Sequence, residues 1–371
     1  MRMRKQAIFI GIFLWGCWTT GGGPDGPEPD AMSPAEMDAR VSDVGAQMDV
    51  GGLLKTDGGL DLVDVDVSAV VDGSVAVDAG PSDMPSIEIN SVQVGEWVFD
   101  VRMAGPMEGD PVIFLHGFPQ TSLEFEAQIL ALADVGYRVI APNQRGYSPG
   151  ARPTDEAAYL LPNLVGDING IADALGYDRY HVVGHDWGAM VAWSLGINYP
   201  ERLYSLTAIS VPHPQPFQET RNDSNSCQFA ASMYFGFFIQ PNSHELLLAN
   251  DAFQLRALYA GLPEHHIDDY LAVLTQENAL KHALDWYRAN VGDDAPEVTF
   301  DPVTVPTLYV WGDEDSALCE DGAYLTENYV TGPYHFEIFE GIDHWVPEMA
   351  AERLSSRILD HLSAYPAPGG R

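Results

Sequence analysis

The chain has 371 residues and a formal net charge of −36, with 54 acidic residues against 18 lysines and arginines. An imbalance of that sign excludes a nucleic-acid binder, which needs a basic footprint. It describes a soluble, self-repelling surface and leaves the fold open.

Arg2, Arg4 and Lys5 precede an apolar run from Ala7 to Trp15. The run is too short to span a bilayer as a mature helix, and a basic flank before a short apolar core has the form of a secretory signal. It ends Leu14-Trp15-Gly16-Cys17, which resembles a bacterial lipobox, although Trp15 is bulkier than the residue usual there. Residues 1–17 are therefore expected to be a signal peptide. The resemblance implies a lipidated Cys17 and an exported, membrane-anchored chain, periplasmic or at the cell surface. Residues 18–86 are rich in Gly, Pro, Asp and Ser, and include the tract Leu62-Val63-Asp64-Val65-Asp66-Val67. Low hydrophobicity with strong negative bias predicts a disordered acidic tether. The aspartate spacing lacks the loop glycine and terminal glutamate of an EF-hand, which argues against calcium. No other segment is long and apolar enough for a transmembrane helix.

About 280 residues follow, enough for one large core and an inserted subdomain. Ile87 to Met103 alternates around Gly95 and predicts an antiparallel hairpin. Pro111 to Leu115 is a continuous apolar run, a buried strand, and leads into His116-Gly117-Phe118-Pro119. A helix from Glu124 to Val135, a strand from Tyr137 to Ala141 and a polar loop, Asn143-Gln144-Arg145-Gly146-Tyr147-Ser148, come next. Leu160 to Leu175 is a helix stopped by Gly176. Tyr180 to Val183, Ala189 to Tyr199 and Leu203 to Val211 read as strand, helix, strand. The alternation predicts a doubly wound, mostly parallel sheet, whose ligands bind at the carboxyl ends of the strands. It stops at Pro212, and 212–296 is helix-rich and aromatic, an inserted helical cap. A strand at Val305 to Trp311, another at His335 to Phe339 and a helix from Glu348 to Leu362 close the chain. The catalytic domain is thus expected over 87–211 and 297–365. Beyond Cys17 only Cys227 and Cys319 remain. In an oxidising compartment they could pair, but one pair is no disulfide framework, and two buried free thiols are expected. No Cys/His spacing suggests a metal site, and nothing requires a cofactor.

The organising stretch is Val182-Val183-Gly184-His185-Asp186-Trp187-Gly188-Ala189, an apolar strand that turns into a helix. Gly-x-Asp-x-Gly is the nucleophile-elbow pattern with a carboxylate where serine usually stands. A carboxylate is ionised at neutral pH and can attack carbon to form an ester. Asp186, Asp315 and His344 then occur in the order nucleophile, acid, base. Asp313 and Asp343 are rival acids; Asp343 adjoins His344 and is poorly placed to reach its ring.

The motifs from His116 to Pro119, Arg145 to Ser148, Gly184 to Gly188, Gly312 to Asp315 and Gly341 to Trp345 occur together in one order. In them the chain resembles the α/β-hydrolase branch of soluble epoxide hydrolases and haloalkane dehalogenases, over Ser86 to about Tyr365. The resemblance implies an α/β-hydrolase fold and attack by Asp186. It also implies water activated by His344, imidazole orientation by Asp315, and an oxyanion hole from the backbone N–H groups of Phe118 and Trp187, with His116, Gly117 and Pro119 as motif support. Within the cap, Tyr234-Phe235-Gly236-Phe237-Phe238 and Leu284-Asp285-Trp286-Tyr287-Arg288 resemble the two lid-tyrosine segments of epoxide hydrolases, although Asn more often stands where Asp285 is. Tyr234 and Tyr287 are therefore expected to donate to the epoxide oxygen of a small apolar substrate. A dehalogenase could use the Trp187 indole for halide, but Phe118 stands where those enzymes usually carry a polar donor, and Trp187 replaces the Arg of fluoroacetate dehalogenases. A serine esterase is excluded at the elbow. A lipid-anchored binding protein that keeps the fold without activity is the alternative from another class.

Overall fold

A computed structural model describes residues 85–291 and 300–368. The signal peptide, Cys17, nearly all of the tether and the last residues of the expected cap lie outside the described residues.

One eight-stranded sheet carries the molecule. The hairpin β1 (Glu88–Val94) and β2 (Trp97–Ala104) is antiparallel and turns at Gly95, whose φ is +57°. β3 (Pro111–Leu115), β4 (Arg138–Pro142), β5 (Tyr180–His185), β6 (Leu203–Ile209), β7 (Thr307–Gly312) and β8 (Tyr334–Phe339) complete it. The spatial order is β1-β2-β4-β3-β5-β6-β7-β8. β2 meets β4 antiparallel, and every pairing beyond β4 is parallel.

Every residue of β3 is buried, as its unbroken apolar run requires of a strand covered on both faces. Successive side chains go to opposite layers. Ile113 and Leu115 join the core beneath α2 (Leu161–Ala174) and α3 (Trp187–Asn198). Val112 and Phe114 join the core beneath α1 (Glu126–Asp134) and the C-terminal helix Ala351–Ala364. Helices on both faces leave the carboxyl ends of the strands to the loops and the insertion that follows β6.

Between β6 and β7 the described residues form helices and no strand. They are α4 (Pro214–Asn222), α5 (Cys227–Ala231), α6 (Phe235–Phe238), α7 (Ser243–Leu258), α8 (Glu264–Leu274) and α9 (Ala279–Val291). α7 is broken at Ala249 to Ala252, where three residues take positive φ. The insertion is fastened to the sheet by polar contacts. Asp269 pairs with Arg102, the Trp286 indole donates to the Arg145 carbonyl at 2.9 Å, and the Tyr270 hydroxyl donates to Glu348 Oε1 at 2.9 Å. These contacts explain a departure from the polar-loop expectation: all six residues from Asn143 to Ser148 are buried. Arg145 holds its place there through two bonds to Asp167, at 2.7 and 2.6 Å.

The expectation of two buried free thiols is corrected. Cys227 and Cys319 form a disulfide, with sulfurs 2.04 Å and Cα atoms 6.1 Å apart, and both are only half-buried. A single cysteine pair carries no spacing signal. What joins them is the docking of α5 on the loop after β7. Gln228 donates to the Ala317 carbonyl at 2.8 Å and accepts from the Cys319 N–H at 3.0 Å. The Asp321 carboxylate accepts from the Ser226 hydroxyl and the Cys227 N–H.

Candidate active site

Asp186 sits between β5 and α3 with φ 49° and ψ −121°. A non-glycine residue held there costs about 1–3 kcal/mol, and such outliers gather at functional sites. The flanking glycines make the turn possible. A Cβ on Gly184 would lie 2.2 Å from the Gly188 carbonyl oxygen, and one on Gly188 would lie 1.9 Å from that of Leu115. Asp186 stands at the start of α3, whose first N–H groups favour negative charge. Trp187, the first residue of α3, supplies one of those N–H groups.

The two carboxylate oxygens of Asp186 have different partners. Oδ1 accepts the Phe118 N–H at 2.8 Å. Oδ2 faces His344 Nε2 at 3.6 Å. On the other side of the ring, His344 Nδ1 lies 2.8 Å from Asp315 Oδ2. Asp315 is fixed in turn, since its Oδ1 accepts the N–H groups of Ala317 and Leu318 at 2.8 and 2.9 Å. The rival acids are engaged locally: Asp313 accepts the Gly341 N–H and Asp343 the Trp345 N–H.

Burial pushes the Asp186 carboxyl up, but the hydrogen bond and charge of His344, with the Phe118 N–H, outweigh it and hold the group below its ordinary value. Burial pushes His344 down, but Asp315 and Asp186 outweigh it and hold the imidazole well above its ordinary value. The resting site is therefore a carboxylate–imidazolium–carboxylate array.

The motif residues before Asp186 act as a frame. His116 donates from Nδ1 to the Gly117 carbonyl at 2.9 Å and accepts the Gln144 N–H at Nε2 at 3.0 Å. Burial holds His116 down to about 4, so it stays neutral and keeps that acceptor. Gln144 donates back to the His116 carbonyl at 2.7 Å. The Phe118–Pro119 peptide is cis. The Phe118 N–H faces the nucleophile while its ring packs edge-on against Tyr287 at 5.3 Å and Phe238 at 5.1 Å.

Asp186, Trp187, Tyr234 and Tyr287 all line one cavity of about 510 Å³. Tyr287 is 2% exposed and ringed by Phe118, Trp187, Phe235 and Phe238, with centroids 5.0–5.3 Å away. Tyr234 stands 6.4 Å from Tyr287, ring to ring. Burial, reinforced by the charge on Asp186, raises both phenols well above their ordinary value, so both keep their protons. Asp285 accepts from Arg288 at 2.6 Å and meets His282 at 2.9 Å; it holds α9 together away from this cavity. Tyr259 donates to the Pro119 carbonyl, and Tyr270 to Glu348.

The family described as alpha/beta hydrolase fold matches residues 110–260. The chain is 31% identical over 287 residues to the AB hydrolase superfamily protein YfhM of Bacillus subtilis, covering 75% of this chain and 99% of that protein. The chain belongs to the α/β-hydrolase family. It is 32% identical over 259 residues to epoxide hydrolase 4 of Mus musculus, covering 66% of this chain and 71% of that one. Among solved structures it is similar to one from a study of novel epoxide hydrolases in metagenomes from hot environments. That match has 29% identity and a TM-score of 0.67, over 75% of this chain and 99% of the other. The chain is a hydrolase of this fold.

Two residues behind the triad were passed over in the sequence. His185 donates from Nε2 to the His344 carbonyl at 2.9 Å, and its Nδ1 lies 3.2 Å from Glu124 Oε2. Both side chains are fully buried. Burial, then the charge of Asp186, raises Glu124 well above its ordinary value, and burial, then the charge of His344, lowers His185 to about 4. The pair is consistent as neutral groups: a Glu124 hydroxyl donates to Nδ1, and Nε2–H donates onward to the backbone of the catalytic loop. The sequence offered one signal, a titratable residue in a variable position of Gly-x-Asp-x-Gly. Glu124 looked like an ordinary acid in a first helical turn.

Proposed function

We propose that the chain opens an epoxide to a vicinal diol through an ester on Asp186. Asp186 Oδ2 attacks an epoxide carbon, the carbon–oxygen bond breaks, and the departing oxygen takes a proton from Tyr234 or Tyr287. The imidazolium of His344 passes its proton to that phenolate, and water then adds to Cγ of the ester as the freed Nε2 removes its proton. The negative charge gathers on Oδ1, against the N–H groups of Phe118 and Trp187. Collapse releases the diol, whose leaving oxygen takes the second proton of the water, and returns Asp186 as a carboxylate beside the imidazolium of His344. Asp315 keeps the imidazole in the required tautomer. The helical insertion over 212–296 acts as the cap that carries both phenols.

One observation carries the reading: two protonated phenols, Tyr287 buried and Tyr234 half-buried, share the cavity of an ionised aspartate at the elbow. An epoxide needs a donor for oxygen as the ring opens, and a phenol is suited to that. The Phe118 side chain offers no donor to a halide. The test is His344→Gln incubated with epoxides and haloalkanes, followed by mass measurement of the peptide containing Asp186. A gain equal to a whole epoxide is expected. A gain equal to an alkyl group with halide lost would move the protein to the dehalogenases, and no adduct on folded protein would favour the non-catalytic alternative.

We infer that the chain is exported and lipid-anchored at Cys17, in line with its basic and apolar N-terminus and with a disulfide, which persists in oxidising compartments. Cys17→Ser should release the protein from membranes on fractionation; wild type found only in the soluble fraction would refute the anchor.

A further inference from the structure

Arg221 is an anomaly among the arginines of the described residues. Every other arginine there donates at least one hydrogen bond. Arg221 has a ring contact instead, its guanidinium 5.8 Å from the Phe235 centroid, and no hydrogen bond or ion pair among the described residues. It is half-buried in the last turn of α4 and lines the same cavity as Asp186. Burial lowers its pKa, and no carboxylate opposes that shift. Asp301 lines the cavity too without pairing with it. In a chain with three times as many acids as bases, an arginine left without an acid is conspicuous. A partly desolvated charge is costly unless paired.

The surroundings give that charge a direction. Gln218, three positions earlier and so on the same helical face, also lines the cavity and makes no side-chain hydrogen bond among the described residues. The walls nearby are apolar, with Met190, Ile197, Phe217 and Val291. From Arg221 the lining passes over Phe235 to Tyr287, whose ring stands 5.3 Å from that of Phe235. The cavity thus joins the anionic, reactive Asp186 to a cation and an amide that are reached past the rings of Tyr287 and Phe235, with Asp301 as a second acid in the lining.

We propose that Arg221 and Gln218 form a carboxylate-binding subsite, and that the preferred substrate is an amphiphilic epoxide with its epoxide at Asp186 and a carboxylate at Arg221. The inference rests on the epoxide reading of the site and adds the substrate class. A guanidinium suits a carboxylate because its forked donors match the two oxygens. A cavity of about 510 Å³ lies within the ~300–1,000 Å³ range of small-molecule sites and suits a chain of about ten carbons.

The test compares a terminal-epoxy decanoate with its methyl ester, on wild type, Arg221→Gln and Arg221→Lys. Wild type should favour the acid in kcat/KM by roughly ten- to hundred-fold, the value of a hydrogen bond to a charged group. Arg221→Gln should bring the acid-to-ester ratio near one, and Arg221→Lys should fall between, since lysine keeps the charge without the fork. Ester turnover with no preference for the acid, or a ratio unmoved by Arg221→Gln, overturns the subsite and leaves epoxide hydrolysis standing. If neither compound is turned over, the Asp186 adduct test decides the epoxide reading, and calorimetry with decanoate decides the subsite alone. Binding to wild type that is lost in Arg221→Gln sustains it; equal binding, or none, overturns it.

Discussion

Replacing Tyr234 and Tyr287 by Phe, singly and together, removes two oxygen atoms and leaves the rings. Packing should survive, because the contacts of Tyr287 with Phe118, Trp187, Phe235 and Phe238 are made by its ring. Loss of one donor aimed at developing negative charge costs about 2.7–4 kcal/mol where no other donor takes over. Here the second phenol lines the same cavity, with its ring 6.4 Å away, and can take part of the charge. Each single change should therefore lower the alkylation rate by roughly ten- to hundred-fold, and the pair by more than about a thousand-fold. Tyr287 should be the costlier of the two, being the more deeply buried. Single-turnover quenching of protein fluorescence with an epoxide measures the step, and denaturation midpoints control for stability. A double variant that alkylates at the wild-type rate would refute the assignment of both phenols. Equal losses on a haloalkane and an epoxide would refute the oxygen-donor role, because halide departure needs no proton.

Three further outcomes follow from the same geometry. Asp315→Asn should slow ester hydrolysis by about 10³–10⁴-fold, through loss of imidazole orientation, and make the Asp186 adduct accumulate in wild-type-like amounts of folded protein; a rapid-quench time course reads both. Cys227→Ser with Cys319→Ser opens a link across 92 residues, for which loop-closure entropy sets a ceiling of about 4–5 kcal/mol. Calorimetry should show a lower Tm for the double variant, and reductant should lower the wild type to match it. Burial raises Glu348 to about 8. A raised carboxyl keeps its proton when folded and loses it when unfolded, so stability falls as pH rises from the ordinary glutamate value to about 8. Glu348→Gln should flatten that fall, which Tm measured across the window would show.

The fold was legible because its signals are local. Five apolar residues at β3, Gly95 in the hairpin and two glycines around Asp186 each admit few conformations, and their order fixes the sheet. The triad was legible for the same reason, since its members follow three strand ends. What the sequence hid depends on long-range docking. Nothing local pairs Cys227 with Cys319, joins Glu124 to His185, or leaves Arg221 without an acid. Each arises where the insertion or a distant loop settles on the sheet. The Asn143 to Ser148 loop shows the limit well: its residues are polar, so pattern puts them in water, yet α9 covers them and supplies a donor from Trp286.

The electrostatics of the resting site then bear on the order of events. Among the causes that hold His344 well above its ordinary value, two come from Asp186, a hydrogen bond and a charge. A group so held is protonated near neutrality and is no base. Alkylation of Asp186 turns its carboxylate into a neutral ester and removes both causes, while Asp315 still orients the ring. The imidazole should lose its proton more readily once the ester exists, which is when a base is needed. Asp186→Asn imitates that neutral state without chemistry. Nitrogen NMR of His344 should report a lower pKa in Asp186→Asn than in wild type, because an anionic partner that favoured the imidazolium is gone. The sign is fixed by the geometry, with Oδ2 at 3.6 Å from Nε2. An unchanged or higher pKa would mean that Asp315 alone sets the state of the imidazole, and that ester formation does not switch the base on.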